Sequence, residues 1–379
     1  MRLINTSTLT LKEFLNPVPP YAILSHTWEE NETSYAEWQS LSFGGLRQKI
    51  RKACKLAWSE GYQYLWVDTC CIDKSSSAEL TEAINSMFAW YQRAEVCYAY
   101  LSDLGPTDST ENMAKCRWFG RGWTLQELIA PGNVKFYDKT WVCRGTKADL
   151  SDLIVRTTKI DAEVLRGTKG LEAFPVARKM GWASYRTTTR EEDMAYCLLG
   201  IFDIHMPLIY GEGGTRAFIR LQEEIIKQTN DLSIFCWTTQ LSSDTTTDPQ
   251  QQVQSLDEFR GVLANSPSEF QYTAHQDFVS LFKQRYNIFR TLDFAITNKG
   301  IRINIKLSQN KESGLWFMPL SPLTYFTVGQ QEKVEMVGIW LKRYFDGVFA
   351  RARTREIALV PYSRLTDPHP PRYYLTKVI

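Results

Sequence analysis

The chain has 379 residues, of which 44% are apolar and 23% charged, and its formal net charge is +2. That length exceeds one ordinary core and sets an expectation of two or three domains. A near-neutral balance excludes nucleic acid and membrane surfaces as partners held by bulk charge. No apolar run approaches a membrane span and no signal-peptide pattern opens the chain, so a cytoplasmic protein is expected.

Eight cysteines stand at 54, 70, 71, 97, 116, 143, 197 and 236 without a C-x-x-C pair, and only four histidines accompany them. Zinc-ligand spacing is absent, so no metal is expected, and buried reduced thiols fit better than a disulfide framework.

Residues 1–19 end in N-P-V-P-P and read as an extended lead-in. Tyr21 to Ser25, Y-A-I-L-S, is a continuous apolar run that predicts a buried strand. It opens into His26-Thr27-Trp28-Glu29-Glu30, a polar and aromatic loop. Ligand groups collect at such strand ends in parallel α/β sheets, which makes Ser25, His26 and Trp28 candidates. A loop histidine bonded to backbone is the alternative for His26. Leu46, Ile50, Ala53 and Ala57 recur at helical spacing, predicting a helix over 45–60.

Tyr64 to Asp68 is the second predicted strand, followed by a loop, with Asp68 either a site carboxylate or a cap for loop amides. Ser76-x-x-Glu79 is a capping box, and Leu80, Ile84, Met87 and Tyr91 continue it as an amphipathic helix. Val96 to Leu101 and Val134 to Tyr137 are the third and fourth predicted strands. Strand and helix alternate, which is the order of a parallel α/β sheet with right-handed crossovers.

Between the last two strands lies Arg117 to Leu128, R-W-F-G-R-G-W-T-L-Q-E-L. Gly120 and Gly122 bracket Arg121 and allow a sharp turn. A short helix from Trp123 to Ala130, stopped by Pro131-Gly132, sets Trp123 and Glu127 one turn apart. A lone carboxylate among aromatic rings has its pKa raised by burial. The competing reading is a structural glutamate capped by an arginine.

From 146 to about 230 the pattern is mainly helical, with a second capping box at Thr189-x-x-Glu192 and apolar stripes at Met194, Cys197, Leu198 and at Phe218, Leu221, Ile225. Residues 242–252 read as a linker, and alternation of Ile301, Ile303, Ile305 and Leu307 with polar residues opens a β-rich end. Further strands are expected near 334–341, 348–351 and 357–360.

Four stretches together resemble the fungal HET (heterokaryon, or vegetative, incompatibility) domain: Y-A-I-L-S-H-T-W-E-E at 21–30, Y-L-W-V-D-T-C-C-I-D at 64–73, I-N-S-M-F-A-W-Y-Q-R-A at 84–94 and R-W-F-G-R-G-W-T-L-Q-E-L at 117–128. The segment 182–213 is similar to the extension that follows HET domains in many fungal proteins. The resemblance implies a HET domain over 1–145, a helical extension over 146–240 packed on it, and a β-rich domain over 253–379. Many relatives add a nucleotide-switching module and WD repeats. This chain has neither and resembles the stand-alone effector form.

The family is associated with cell death triggered by non-self recognition and is distantly similar to Toll/interleukin-1 receptor (TIR) domains, a flavodoxin-like parallel sheet. Catalytic TIR domains carry an essential glutamate in S-x-W-C-x-x-E, and Trp123 and Glu127 keep that W-x-x-x-E spacing with Thr124 in place of the cysteine. The resemblance thus implies NAD as substrate rather than a bound cofactor. Glu127 would be catalytic, with Ser25, His26, Trp28, Asp68, Arg121 and Trp123 around the substrate, acting in a homo-oligomer under an upstream non-self sensor. A non-enzymatic self-association module that kills through partners stands as the alternative.

Overall fold

The computed structural model describes residues 1–30, 32–40, 48–239, 260–274, 294–298, 300–320, 324–328, 331–345, 348–361 and 373–375. The expected linker at 242–252, and Leu46 of the expected helix, lie outside the described residues. Contacts divide the chain into two compact units that interleave in sequence. One holds Met1–Leu171 with Arg186–Gly211, the other Glu172–Tyr185 with Glu212–Ile379. The segment 146–240 is thereby shared between the two.

The first unit is built on a seven-stranded sheet in the order β2-β1-β4-β3-β5-β6-β7. Its centre is four parallel strands: β3 (Ala22–His26), β4 (Tyr64–Val67), β5 (Val96–Tyr100) and β6 (Val134–Tyr137). β3 and β4 are parallel neighbours, pairing Ala22 with Leu65 and Leu24 with Val67, as the apolar runs predict. All nine of their residues are buried, which continuous hydrophobic strands require when helices cover both faces.

The chain steps from β3 to β4 on one side, then back across β3 to β5, then on to β6. Right-handed crossovers put the connection before β4 and the one before β5 on opposite faces. They carry α2 (Gln48–Ser59) and α4 (Ser77–Arg93) respectively, while α1 (Tyr35–Ser40) precedes α2 and the one-turn α3 (Asp68–Cys71) follows β4. Ile50, Ala53, Cys54 and Ala57 form the buried stripe of α2; Ala83, Ile84, Met87 and Tyr91 form that of α4. The Ser76 hydroxyl caps α4 by accepting from the Glu79 amide. Only that half of the box forms, because the Glu79 carboxylate accepts from the Asp73 amide at 2.8 Å and pairs with Arg2.

Four expectations are corrected. The lead-in before residue 20 is not merely extended: β1 (Arg2–Asn5) and β2 (Leu11–Glu13) form a hairpin whose inner strand pairs antiparallel with β4. The Asn5 side chain closes its turn by accepting from the Ser7 and Thr8 amides. His26 ends the strand instead of starting the loop, since its pairing with Tyr100 of β5 extends β3 by one residue. Residues after β4 wind into α3 rather than a loop. Glu192 does not close a capping box: the next helical turn starts at Asp193, and the Glu192 carboxylate accepts from the Gly211 amide at 2.8 Å.

On the other edge β7 (Cys143–Thr146) pairs antiparallel with β6. Between β5 and β6 three short helices follow one another: α5 (Thr110–Met113), α6 (Arg117–Gly120) and α7 (Thr124–Ile129).

The second unit is β-rich, as the late alternation predicts. Nine strands between Phe294 and Leu375 form one sheet around the long strand Gln331–Phe345. Ile301, Ile303, Ile305 and Leu307 are buried while Arg302, Asn304 and Lys306 are exposed. Helix Gly214–Gln228 buries the predicted Phe218, Leu221 and Ile225. No helix among the described residues is long and apolar enough to cross a membrane.

Residues 186–211 complete the first unit. The turn Leu199–Phe202 sits directly on α4, where a Cβ on Gly200 would fall 2.1 Å from Phe88 Cβ. Asn85 of α4 accepts from the Met206 amide at 3.1 Å. A fragment ending at residue 145 loses these contacts and leaves the apolar surface of α4 uncovered. It should be insoluble or melt without a cooperative transition. A soluble 1–145 fragment with a sharp calorimetric transition would refute this.

Candidate active site at the end of the parallel strands

Three segments leaving the C-terminal ends of β3, β4 and β5 supply the predicted residues. α6 and α7 are two one- to two-turn helices, joined at Arg121, which is extended. Gly122 is required there by space and not by its dihedral angles. Its amide donates to Thr187 O, the Thr187 amide donates to Gly120 O, both at 2.8 Å, and a Cβ on Gly122 would fall 2.5 Å from Thr188 Cγ2. Thr124, which stands where the resemblance would put a cysteine, ties the two helices together. Its Oγ1 lies 2.5 Å from Trp118 O and 2.9 Å from Arg121 O, and it accepts from Arg186 Nη1 at 2.9 Å.

Every residue of α7 is buried, including Gln126 and Glu127. Leu125, Leu128 and Ile129 each contribute about 1.5–3 kcal/mol by leaving water, enough to hold one carboxyl group inside. Lys147 closes the helix's far end. Its ammonium donates to Leu128 O at 3.2 Å and to Pro131 O at 2.5 Å, and burial lowers its pKa to about 8 against a small opposing effect of Cys97.

Glu127 keeps 8% of its surface. Burial raises its carboxyl to about 7. The Ser25 hydrogen bond opposes that rise, the charge of Asp68 adds to it, and Arg121 and Tyr91 pull it back. Ser25 Oγ donates to Glu127 Oε2, and Trp118 Nε1 donates to Ser25 Oγ at 2.7 Å. An indole N–H can only donate, so the single serine proton is left to the carboxylate. Ser25 has no exposed surface, so it orients Glu127 and touches no ligand.

His26, next along β3, faces the other way. It is buried, and among the described residues neither ring nitrogen has a hydrogen-bond partner. Nε2 lies 3.5 Å from Glu32 Oε2 and Nδ1 lies 3.9 Å from Asp68 Oδ1. The backbone-bonded loop histidine is therefore not what forms. For Glu32, burial alone would raise the pKa, but His26 and Lys49 outweigh it and bring it to about 2.

Among the described residues Asp68 caps no loop amide; its Oδ2 accepts from Trp28 Nε1 at 2.7 Å. Trp28 is 42% exposed, and two cations approach its ring: Lys74 Nζ at 3.5 Å from the centroid and Arg121 Cζ at 5.6 Å. Trp123 stands one turn before Glu127, but its Nε1 is taken by Asp193 Oδ2 at 3.2 Å, whose other oxygen accepts from Tyr210 at 3.0 Å. Burial raises the Asp193 pKa against those two bonds and the charges of Arg190 and Arg121.

Glu127, Ser25, Arg121, Trp28, Asp68 and His26 thus share one edge, while Trp123 braces a neighbouring polar cluster. Trp118, Lys74, Lys147 and Arg186 were not singled out from the sequence. Trp118 lies inside the motif, but its partner is 93 residues away, which no local spacing reveals. A separate cleft of about 310 Å³, lined by Leu15, Asn16, Pro20, Trp90 and Arg93 among others, includes none of the predicted residues. Among the described residues no group of three or more His, Cys, Asp or Glu side chains is arranged for a metal ion.

Residues 21–111 match the family described as heterokaryon incompatibility protein (HET), and residues 216–327 match a domain of unknown function, DUF8212. Over 224 residues the chain is 50% identical to the vegetative incompatibility protein HET-E-1 of Podospora anserina, a stretch covering 55% of this chain and 16% of that relative. No solved structure matches the chain.

The raised carboxyl links stability to pH. Between the ordinary value of 4.5 and about 7 the folded state holds a proton that the unfolded state has released, so stability falls as pH rises through that window. Above it the full penalty of a buried charge remains. Glu127→Gln removes the charge. It should melt above wild type at pH 8, by on the order of 3 kcal/mol at about 1.4 kcal/mol per pKa unit. The gap should close toward pH 4.5; thermal melts of both proteins showing a gap that does not vary with pH would place the ionisation elsewhere.

Proposed function

We propose that this chain, whose residues 21–111 match the HET family, is an effector of fungal heterokaryon incompatibility. In this reading it causes cell death by hydrolysing NAD to nicotinamide and ADP-ribose. One observation carries the chemistry: a buried carboxylate, bonded by Ser25 and with its pKa raised to about 7, at the C-terminal edge of a parallel sheet. The order β4-β3-β5-β6, with the chain reversing direction beside β3, supports a flavodoxin-like and TIR-like reading of the sheet. Ligands of such sheets bind where the order reverses.

Cleavage breaks the bond between the ribose anomeric carbon and the pyridinium nitrogen. The bonding electron pair leaves with nicotinamide and neutralises its ring charge, so no acid is needed. The ribosyl cation that remains is stabilised by the ionised Glu127 and captured by water, whose proton goes to solvent. Ser25 and Trp118 fix the carboxylate's direction. Arg121 and the exposed Trp28 supply charge and ring surface beside it. The effector acts when clustered by an upstream non-self sensor, so assays belong at high protein concentration.

Exposure of Trp28 at 42% and of Trp58 at 56% favours a second reading, a module that self-associates and kills through partners without catalysis. Release of nicotinamide separates the two. Wild-type protein should release it at a rate that rises with pH through about 7, following ionisation of Glu127. Glu127→Gln should fold and lose about a hundredfold to a thousandfold in rate. If the folded wild type releases none, or the variant keeps the wild-type rate, hydrolysis is wrong and the self-association reading takes its place.

A further inference from the structure

Lys74, Trp28 and Arg121 come from three different segments: the turn after α3, the loop after β3 and the joint between α6 and α7. They meet at the sheet's C-terminal edge. The Lys74 ammonium lies 3.5 Å and the Arg121 guanidinium carbon 5.6 Å from the centroid of one indole ring. Among the described residues neither side chain's charged group makes a hydrogen bond or an ion pair. Trp28 is anchored through its nitrogen to Asp68, which orients the ring toward the two cations.

Two like charges gathered over one ring repel, and an exposed cation–π contact offsets little of that repulsion. Surface cations normally relieve such repulsion by pairing with a carboxylate or turning to solvent. Asp68, bonded to the same indole, offsets part of that charge without pairing with either cation, and the arrangement leaves a planar guanidinium fork and a point-charge ammonium beside one ring. Arginine's fork matches phosphate oxygens in pairs, and lysine serves phosphate as a compact charge.

We propose that Lys74 and Arg121, positioned by the Trp28 ring, form an anion subsite that takes the diphosphate of the substrate. The assignment rests on the dinucleotide reading of the Glu127 site and adds Lys74 to it. Arg121 is also the joint before α7, the helix that carries Glu127, which links the subsite to that carboxylate through one short segment.

Inorganic pyrophosphate is the probe, titrated calorimetrically into the full-length protein at low ionic strength. Wild type should bind one equivalent, with affinity falling as salt is added. Lys74→Gln and Arg121→Gln should each weaken binding about tenfold or more, the loss of a charge-assisted contact, while Glu127→Gln should still bind. Lys74 is exposed, so its variant tests the subsite even if Arg121→Gln unfolds. In the nicotinamide assay Lys74→Gln should raise KM for NAD and spare kcat. No pyrophosphate binding by folded wild type, or unchanged binding by Lys74→Gln, overturns the subsite. Pyrophosphate binding that depends on Lys74 without any nicotinamide release leaves the subsite standing and removes NAD hydrolysis. Nicotinamide release with an unchanged KM in Lys74→Gln does the reverse.

Discussion

A carboxylate held on a helix with no solvent-facing side sets the constraints on the first unit. Apolar neighbours on α7 keep Glu127 in place, and the same burial makes its charge unfavourable. The protein relieves that conflict only in part. Ser25 gives its proton to the carboxylate because Trp118 leaves it no other use for it. A neutral donor moderates the desolvation without cancelling it, whereas a bonded arginine would hold the group fully ionised. The result is a carboxyl that changes charge near neutral pH.

Holding α7 requires parts of the chain far away in sequence. Lys147 secures the carbonyls at its end, and Arg186 and Thr187 secure the joint at its start. The second of these ties runs through the segment 186–211, so the carboxylate's position depends on residues beyond those that match the HET family at 21–111. The compact unit is therefore larger than the stretch that identifies it.

Much of this was legible in the sequence. Four apolar runs specify four buried strands because a parallel strand covered on both faces has no polar positions to alternate. The stripes of α2 and α4 and the Ser76 cap follow from local spacing. Ser25, Asp68 and Glu127 could be named because strand ends and a lone carboxylate carry local signals. The edge hairpin was not legible: β1 and β2 are four and three residues long, too short for a periodicity to show. Nor were Trp118, Lys74 and Arg186. Each acts through a partner from another segment, and a tryptophan or a cation in a loop looks the same whether or not it meets one. Trp123 shows the same limit in reverse, since its spacing from Glu127 is as expected while its indole serves Asp193.

The sheet's borders carry a consequence for how copies of this protein can meet. Its parallel strands never reach an edge. On one side the terminal strand is β2, three residues long with Lys12 and Glu13 exposed. On the other it is β7, where the pairing slips between Phe136 and Tyr137 and Gly145 adopts a positive φ of 131°. Short, charged and irregular margins offer poor templates for backbone pairing. Any assembly of this unit must then be made from side-chain surfaces whose composition can be specific. Growth by adding strand to strand, the route by which exposed sheets run on into fibres, is closed at both ends.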